Sequence, residues 1–247
     1  MWGLFKKKKN VKTLGEVPAL QVDVHSHLIP GIDDGAANLE ESIEMIKTFS
    51  NMGFRKIITT PHVMEDYFKN SPEIILNGLD QLRNEVYRQG IDIRIEAAAE
   101  YYLDEFFIKK LKNEEELLTI GEEKYILFET SYMTANAFLD EAIFLMQSQG
   151  LKPIMAHPER YVYLYGNYER LKSFHERGVL LQVNALSFLG YYSKDAQKVA
   201  QQLSDDGLIA FVGSDCHKAK HLEWYQKLES DYYYQKTLKD GVLNNSL

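Results

Sequence analysis

The sequence has little cysteine, no excess of positive charge and no long apolar run, and each of these absences excludes a class of protein. Its single cysteine, Cys216, excludes an internal disulfide and predicts a reducing, cytoplasmic compartment. Acidic residues (36) outnumber Lys and Arg (28), and the net charge of -8 argues against a protein that coats nucleic acid. We expect neither a signal peptide nor a segment that spans a bilayer.

The chain is predicted to form one domain behind a short basic tail. In residues 1–15, Trp2, Leu4 and Phe5 precede the lysine run 6–9. We expect this tail to be disordered, and contact with an anionic membrane surface is the weaker alternative. The full chain of 247 residues is 45% hydrophobic, which suits a single domain over residues 16–247.

Apolar segments alternate with helical patterns along this domain. Seven segments are predicted strands: 20–27, 56–60, 93–100, 125–129, 153–157, 179–184 and 209–215. Helices are predicted from Asn38, from Ser71, and over 104–111, 136–149, 168–177, 194–204 and 223–238. The apolar runs indicate parallel strands covered by helices. We favour a closed α/β barrel over an open doubly wound sheet because the first strand lacks a Gly-x-Gly-x-x-Gly turn and polar residues follow most strands.

The end of the first predicted strand reads Asp23-Val24-His25-Ser26-His27. Side chains two residues apart on a strand share a face, so both imidazoles point the same way. Neutral imidazole is a preferred ligand of divalent metals, although an isolated His-x-His is more often an ordinary surface feature. Further histidines and carboxylates at later strand ends favour the metal site.

These strand-end residues form one candidate ligand set: His25, His27, Asp33, Asp34, His62, Glu100, Glu129, His157, Asp215 and His217. Nitrogen and oxygen ligands without thiolates fit Mn, Fe or Zn, and the set suffices for two or three metals. Such clusters clamp phosphoryl oxygens and lower the pKa of a bound water to about 7, generating hydroxide as the nucleophile. Cys216 lacks a cysteine-phosphatase loop, so we expect it to be packed rather than nucleophilic. His175 and His221 are interpreted as ordinary surface residues.

Arg160, three residues after His157, is a candidate to bind phosphate oxygens; the alternative is an ion pair with Glu159 or another neighbour. Aromatic residues also follow the ligand-bearing strands, and they predict either a slot for an aryl substrate or simple packing at the rim. They are Tyr67, Phe68, Tyr101, Tyr102, Tyr132, Tyr161 and Tyr163.

Taken together, the motifs resemble those of a known superfamily. They are Asp-Val-His-Ser-His, Asp-Asp-Gly, Thr-Pro-His, Ala-Glu-Tyr, Ala-His-Pro-Glu-Arg and Gly-Ser-Asp-Cys-His, in that order over about residues 20–220. The set is similar to the PHP (polymerase and histidinol phosphatase) superfamily, and most of all to its bacterial protein-tyrosine phosphatase branch. The resemblance implies a distorted (β/α)7 TIM-like barrel, the PHP fold, with three metals, often Mn2+.

The resemblance also implies roles for individual residues. His25, His27, Glu100 and Asp215 would hold one metal, and Glu100 would bridge to a second held by Glu129 and His157. His62, His217 and either Asp33 or Asp34 would hold the third, and we assign Asp33. Arg160 and Glu100 are the candidate catalytic residues. The arginine that the family carries beyond the last metal motif has no counterpart here, where lysines follow His217.

The function implied is that of a metal-dependent protein-tyrosine phosphatase. Its substrate would be a bacterial tyrosine kinase that regulates capsular or exopolysaccharide synthesis. Two alternatives stay open: a phosphatase of small phosphomonoesters such as histidinol phosphate, and a non-catalytic scaffold that keeps the barrel. Assembly into a homo-oligomer also stays open.

Overall fold

The computed structural model describes residues 14–247, so the predicted tail lies almost wholly outside the described residues. Nine short strands form two parallel sheets. The strands are β1 (Val22–Asp23), β2 (Lys56–Thr59), β3 (His62–Val63), β4 (Arg94–Ala97), β5 (Glu100–Tyr102), β6 (Tyr125–Glu129), β7 (Lys152–Ala156), β8 (Leu180–Asn184) and β9 (Ile209–Gly213). β2 and β3 are successive parts of one strand segment, and β4 and β5 are successive parts of another. Seven segments therefore result, as predicted.

The segments close into a ring in chain order. β1, β2 and β4 pair in one sheet, and β3, β5, β6, β7, β8 and β9 pair in the other. The first segment also bridges to the last one: Asp215 N donates to His25 O at 2.8 Å, and His27 N donates to Cys216 O at 2.9 Å. The regular first strand, β1, is shorter than predicted, and His25 and His27 lie beyond it. The architecture is a distorted (β/α)7 barrel.

Eight α-helices cover the described part of the ring: α1 (Leu39–Asn51), α2 (Pro72–Arg88), α3 (Glu105–Lys112), α4 (Leu139–Ser148), α5 (Tyr168–Glu176), α6 (Lys194–Asp205), α7 (Ala219–Tyr225) and α8 (Tyr232–Asp240). The predicted caps are present, since Asn38 accepts from the Glu41 amide and Ser71 from the Ile74 amide. Within residues 14–247, no helix is both long and apolar enough to cross a membrane.

The last predicted helix, over 223–238, is instead three elements. α7 is followed by a 3-10 turn over Gln226–Ser230 and then by α8. The break falls at Asp231, whose backbone is extended and whose carboxylate accepts from the Tyr234 amide at 2.9 Å. A residue that caps a new helix cannot continue the previous one, so the periodicity alone hid the boundary.

A small apolar cluster fills the ring beneath the strand ends. It takes side chains two residues apart, including Tyr125 and Leu127 on β6 and Ile154 and Ala156 on β7. Glu129 lies two residues beyond Leu127 and therefore on the same inward face. The apolar cluster closes the floor of the barrel, and polar residues start directly above it.

Candidate metal centre

The centre of the site is Glu100, the first residue of β5. Its Oε2 lies 3.2 Å from His25 Nε2 and 3.1 Å from His62 Nδ1, and its Oε1 lies 3.0 Å from His157 Nε2. The carboxylate is fully buried and contacts imidazoles from three other strand segments. One carboxylate with both oxygens among several imidazoles has the position of a bridging ligand.

Three groups of candidate ligand atoms surround Glu100, and within each group the atoms lie within 4.8 Å of one another. The groups are His25, His27 and Glu100; His62, Glu100 and Glu129; and His27, Asp34, His62 and His217. His157 borders the second group, with its Nε2 3.8 Å from Glu129 Oε2. Asp215 borders the first and third, with its Oδ1 3.5 Å from His25 Nε2 and 3.4 Å from His217 Nδ1.

The structure places Asp34, not the assigned Asp33, among the ligand atoms. Asp33 Oδ2 accepts from His27 Nδ1 at 2.8 Å and from the His62 amide at 3.1 Å, and its Oδ1 accepts from the Gly35 amide. Asp34 Oδ1 instead lies 3.3 Å from His217 Nε2 and 3.5 Å from His62 Nε2. Asp33 therefore orients His27 so that the Nε2 of this ring faces the cluster.

The loop that carries both aspartates passes directly over His27. A Cβ on Gly35 would lie 2.1 Å from the His27 carbonyl oxygen, so only glycine fits there. Two strand ends are also strained: His157 after β7 and Asp215 after β9 have φ of 34° and 49°. Left-handed backbone in non-glycine residues costs energy and recurs at functional sites. Here the His157 side chain lies against Glu100 and the Asp215 side chain against His25.

The electrostatics of the cluster fit a bound cation. Burial alone would lower the pKa of His25 and of His62, but nearby carboxylates outweigh it. Glu100 and Asp215 raise the pKa of His25 to about 10, and Glu100 and Glu129 raise that of His62 to about 10. By contrast, burial and the neighbouring His217 and His62 lower the pKa of His27 to about 4. Extra protons thus offset the buried negative charge.

Two buried atoms complete this test of fit. Among the described residues, Glu100 Oε2 and His62 Nδ1 have no hydrogen-bond partner of adequate geometry, although they lie 3.1 Å apart. Buried polar atoms are normally hydrogen-bonded, and exceptions need an explanation. Metal ligands are expected to lie close together without hydrogen-bonding to one another. The residues present therefore fit a cluster of divalent metals.

Arg160 lies at the edge of the cluster, in the short 3-10 turn Pro158–Arg160 after β7. Its Nη1 donates to Asp215 Oδ2 at 2.8 Å. The guanidinium carbon lies 4.1 Å from the ring centroid of Tyr192 and 4.7 Å from that of Tyr132. Arg160 is therefore ion-paired with Asp215, a neighbour other than Glu159, and it also lines the cleft, so phosphate binding by Arg160 stays a prediction.

The cleft above the cluster has a volume of ≈ 550 Å³ and an aromatic wall. Of the aromatic residues predicted for it, Phe68 and Tyr132 line it, and Phe68 stacks on His62 at 5.5 Å between ring centroids. Tyr101 and Tyr161 are instead buried in the core. The sequence interpretation missed two other wall residues, Tyr191 and Tyr192.

The interpretation of His221 as an ordinary surface residue was wrong. This side chain lines the cleft, and its Nδ1 accepts from the His217 amide at 3.3 Å. The available signal was its position four residues after the candidate ligand His217, although His217 itself lies before α7 begins. His175 lies on α5 and outside the cluster, as expected.

Comparisons with known proteins identify the family of the chain. A family model described as "Capsular polysaccharide synthesis, CpsB/CapC" matches residues 21–241. Tyrosine-protein phosphatase YwqE of Bacillus subtilis is 29% identical over 215 residues, covering 87% of this chain and 84% of YwqE. Putative tyrosine-protein phosphatase CapC of Staphylococcus aureus is 28% identical over 232 residues, 90% of each chain.

A solved structure gives the same fold. It comes from a study of YwqE from Bacillus subtilis and CpsB from Streptococcus pneumoniae, described as "unique metal-dependent tyrosine phosphatases". The two folds match with a TM-score of 0.78 at 28% identity, over 88% of this chain and 89% of that one. The resemblance to the tyrosine-phosphatase branch of the PHP superfamily is thereby confirmed. Because the family model spans nearly the whole barrel, the chain belongs to the CpsB/CapC family of capsular polysaccharide synthesis.

Proposed function

We propose that this protein is a metal-dependent protein-tyrosine phosphatase. The observation that carries the proposal is the clustering of three groups of candidate ligand atoms, two of which include Glu100, at the carboxyl ends of the strands. The relatives named as tyrosine-protein phosphatases support it. The proposed substrate is a phosphotyrosine of a bacterial tyrosine kinase that regulates capsular or exopolysaccharide synthesis, reached in the cytoplasm, where the thiol of Cys216 stays reduced.

The proposed ligands follow the geometry. One metal would be held by His25, His27, Glu100 and Asp215, a second by Glu100, Glu129 and His157, and a third by Asp34, His62 and His217. Asp33 is not among the proposed ligands; its carboxylate accepts a hydrogen bond from His27 and orients that ring. We propose Mn2+, with Fe or Zn as alternatives, because the donor set is nitrogen and oxygen only. When bound, such a cluster supplies Lewis-acid stabilisation of phosphoryl oxygens and a strong nucleophile near neutral pH.

Arg160 is the proposed catalytic residue that binds the phosphate. One guanidinium nitrogen is used by Asp215, and the fork still offers further N–H donors towards the cleft. The rings of Tyr132 and Tyr192 hold the guanidinium in a fixed plane, so little rotational freedom is lost when phosphate binds. A guanidinium held in this way stabilises the charge that develops on the transferred phosphoryl group.

The aromatic wall is proposed to select the aryl part of the substrate. Phe68, Tyr132 and Tyr191 line the cleft around the cluster, so a phenyl ring that enters phosphate-first meets flat apolar surfaces. Histidinol phosphate offers these surfaces only a smaller and more polar imidazole ring. This difference favours phosphotyrosine over histidinol phosphate.

The test is release of phosphate from a phosphotyrosine peptide with Mn2+, compared with release from histidinol phosphate by the ratio of kcat/KM. Activity that depends on Mn2+ and disappears in His25→Ala and His157→Ala is expected. His175→Ala is the matched control, because His175 lies outside the cluster and its loss should leave activity unchanged. Full activity in His25→Ala and His157→Ala would refute the proposal. Purified protein that binds no metal while folded would support the scaffold alternative.

A further inference from the structure

Strand β8 contributes no candidate metal ligand, although β7 leads into His157 on one side of it and β9 into Asp215 on the other. It carries two amide side chains instead, Gln182 and Asn184, which are fully buried. The two are two residues apart on one strand and so share a face. Buried amides must find partners for both their oxygen and their nitrogen, and here the two amides bond to each other and to the candidate ligands His25 and Asp215.

The direction of each hydrogen bond follows from Asp215. An ionised carboxylate only accepts, so the group that faces Asp215 Oδ2 at 2.6 Å must be the NH2 of Asn184. The Asn184 Oδ1 then points back along the strand and accepts from Gln182 Nε2 at 2.9 Å. Gln182 is thereby left with only its oxygen to offer to the next group.

That next group is His25. Gln182 Oε1 lies 2.7 Å from His25 Nδ1, and because an amide oxygen only accepts, Nδ1 must carry a hydrogen. The one lone pair that His25 can offer is therefore on Nε2, which faces Glu100 Oε2 at 3.2 Å. A negative charge on Asp215 thus sets the tautomer of a histidine through two intervening amides.

The same contacts divide the two oxygens of Asp215. Its Oδ2 accepts from both Asn184 Nδ2 and Arg160 Nη1, at 2.6 Å and 2.8 Å. Its Oδ1 is left facing His25 and His217. The space for this arrangement comes from Gly213, where a Cβ would lie 2.7 Å from both Gln182 Nε2 and His25 Cβ.

We propose that Gln182 and Asn184 form an amide relay that presents one ligand atom each from His25 and Asp215 to the metal cluster. Both are positioning residues, since neither faces the cluster itself. The proposal rests on the metal-dependent function above and names residues that the ligand motifs leave out. It also explains why a strand without ligands is polar on the face that points towards the site.

The first test measures Mn2+ affinity by titration calorimetry of Gln182→Met and Asn184→Leu, which keep side-chain size but remove the relay. Partners that orient metal ligands are commonly worth about 10- to 100-fold in affinity, and we expect a loss of that size from each. The double variant should lose less than the product of the two, because the residues act in one chain. Affinities within about twofold of the parent, or losses that multiply fully, would overturn the relay.

Asn244→Leu is the matched control. Asn244 is an equally buried amide that contacts no candidate ligand among the described residues, because its Nδ2 donates to the carbonyls of Val22 on β1 and Val212 on β9. Its loss should lower the melting temperature without weakening Mn2+ binding. If Asn244→Leu weakened binding as much as Gln182→Met, the effect would be general loss of structure, and the relay would be refuted.

A second measurement needs no variant. Nitrogen-15 NMR of the Zn2+-loaded parent protein reports which ring nitrogen of His25 carries hydrogen, and the relay requires Nδ1. Hydrogen on Nε2 would overturn it while leaving the phosphatase proposal standing. A parent protein that binds neither Mn2+ nor Zn2+ would instead refute the proposed function, and the relay with it.

Discussion

Metal binding at this centre should release protons, and the number can be worked out from the cluster. The carboxylates Glu100, Asp215 and Glu129 outweigh burial and raise the pKa of both His25 and His62 to about 10. At pH 7.5 both imidazoles therefore carry an extra proton when no cation is bound. A metal ligand must be unprotonated, so both protons have to leave when a cation binds.

The free-energy cost of removing these protons and the pH dependence of the metal affinity follow from those pKa values. Removing a proton at pH 7.5 from a group with a pKa of about 10 costs about 3 kcal/mol. Two such protons make the apparent affinity rise by about two decades for each pH unit between roughly pH 6.5 and 8. The pKa of His217 is also raised by Asp215 and Asp34 against the effect of burial, and this shift acts in the same direction as those of His25 and His62.

The assay is calorimetric titration of Mn2+ in buffers of different ionisation enthalpy, because the slope of the observed enthalpy against that of the buffer counts protons. We expect at least two protons to be released per cluster filled at pH 7.5. His175→Gln should give the same count, since that residue lies outside the cluster. Release of less than one proton, or an affinity that does not change with pH, would refute the electrostatic reasoning.

Three further outcomes are expected. First, metal-free protein should lose stability as pH rises from about 6.5 to 10. The pKa values of His25 and His62 are higher in the folded state, so these groups stabilise the fold only while they are protonated. Thermal melts at pH 7 and pH 9 check this, and a higher melting temperature at pH 9 would contradict it. Second, Arg160→Lys should lower kcat for phosphotyrosine peptide by about 10²- to 10³-fold and leave the metal content unchanged. Steady-state kinetics and elemental analysis check the two together. A loss of metal would instead mean that Arg160 acts only through Asp215. Third, Cys216→Ala should keep full activity. Cys216 is buried with its thiol 3.7 Å from Met45 Sδ, and burial, followed by the charge of Asp23, raises the pKa of this thiol well above the usual range. A variant that is folded but inactive would instead indicate a cysteine mechanism.

The strand-end ligands were predictable from sequence because strand order and side-chain alternation are short-range properties. A histidine or glutamate directly after an apolar run must lie at the carboxyl edge of the barrel, whatever the details of the loops. That reasoning placed Glu100, Glu129 and His157 without any knowledge of distances. The ring closure at Ser26 and Cys216 follows the same logic, since the first and last parallel strands of a barrel must meet.

The choice between Asp33 and Asp34 was beyond the sequence because it depends on loop dihedral angles. Both residues follow the same strand, and the hydrogen bonds to His27 and to the Gly35 amide decide which carboxylate turns away. His221 was missed for a similar reason, since its position depends on where α7 starts. Arg160 illustrates a third limit: its place between two tyrosines needs Tyr192, which is distant in sequence and in no predicted motif.

Burying so many charges in one place has a consequence for the whole molecule. A cluster of carboxylates in a protein interior is costly unless positive charge accompanies it, and without metal that charge comes from protons on His25 and His62. A bound cation replaces those protons and stabilises the native state by mass action. Folding and metal loading should therefore be coupled, and removing metal by chelation should lower the melting temperature of the entire barrel rather than loosen the cleft alone.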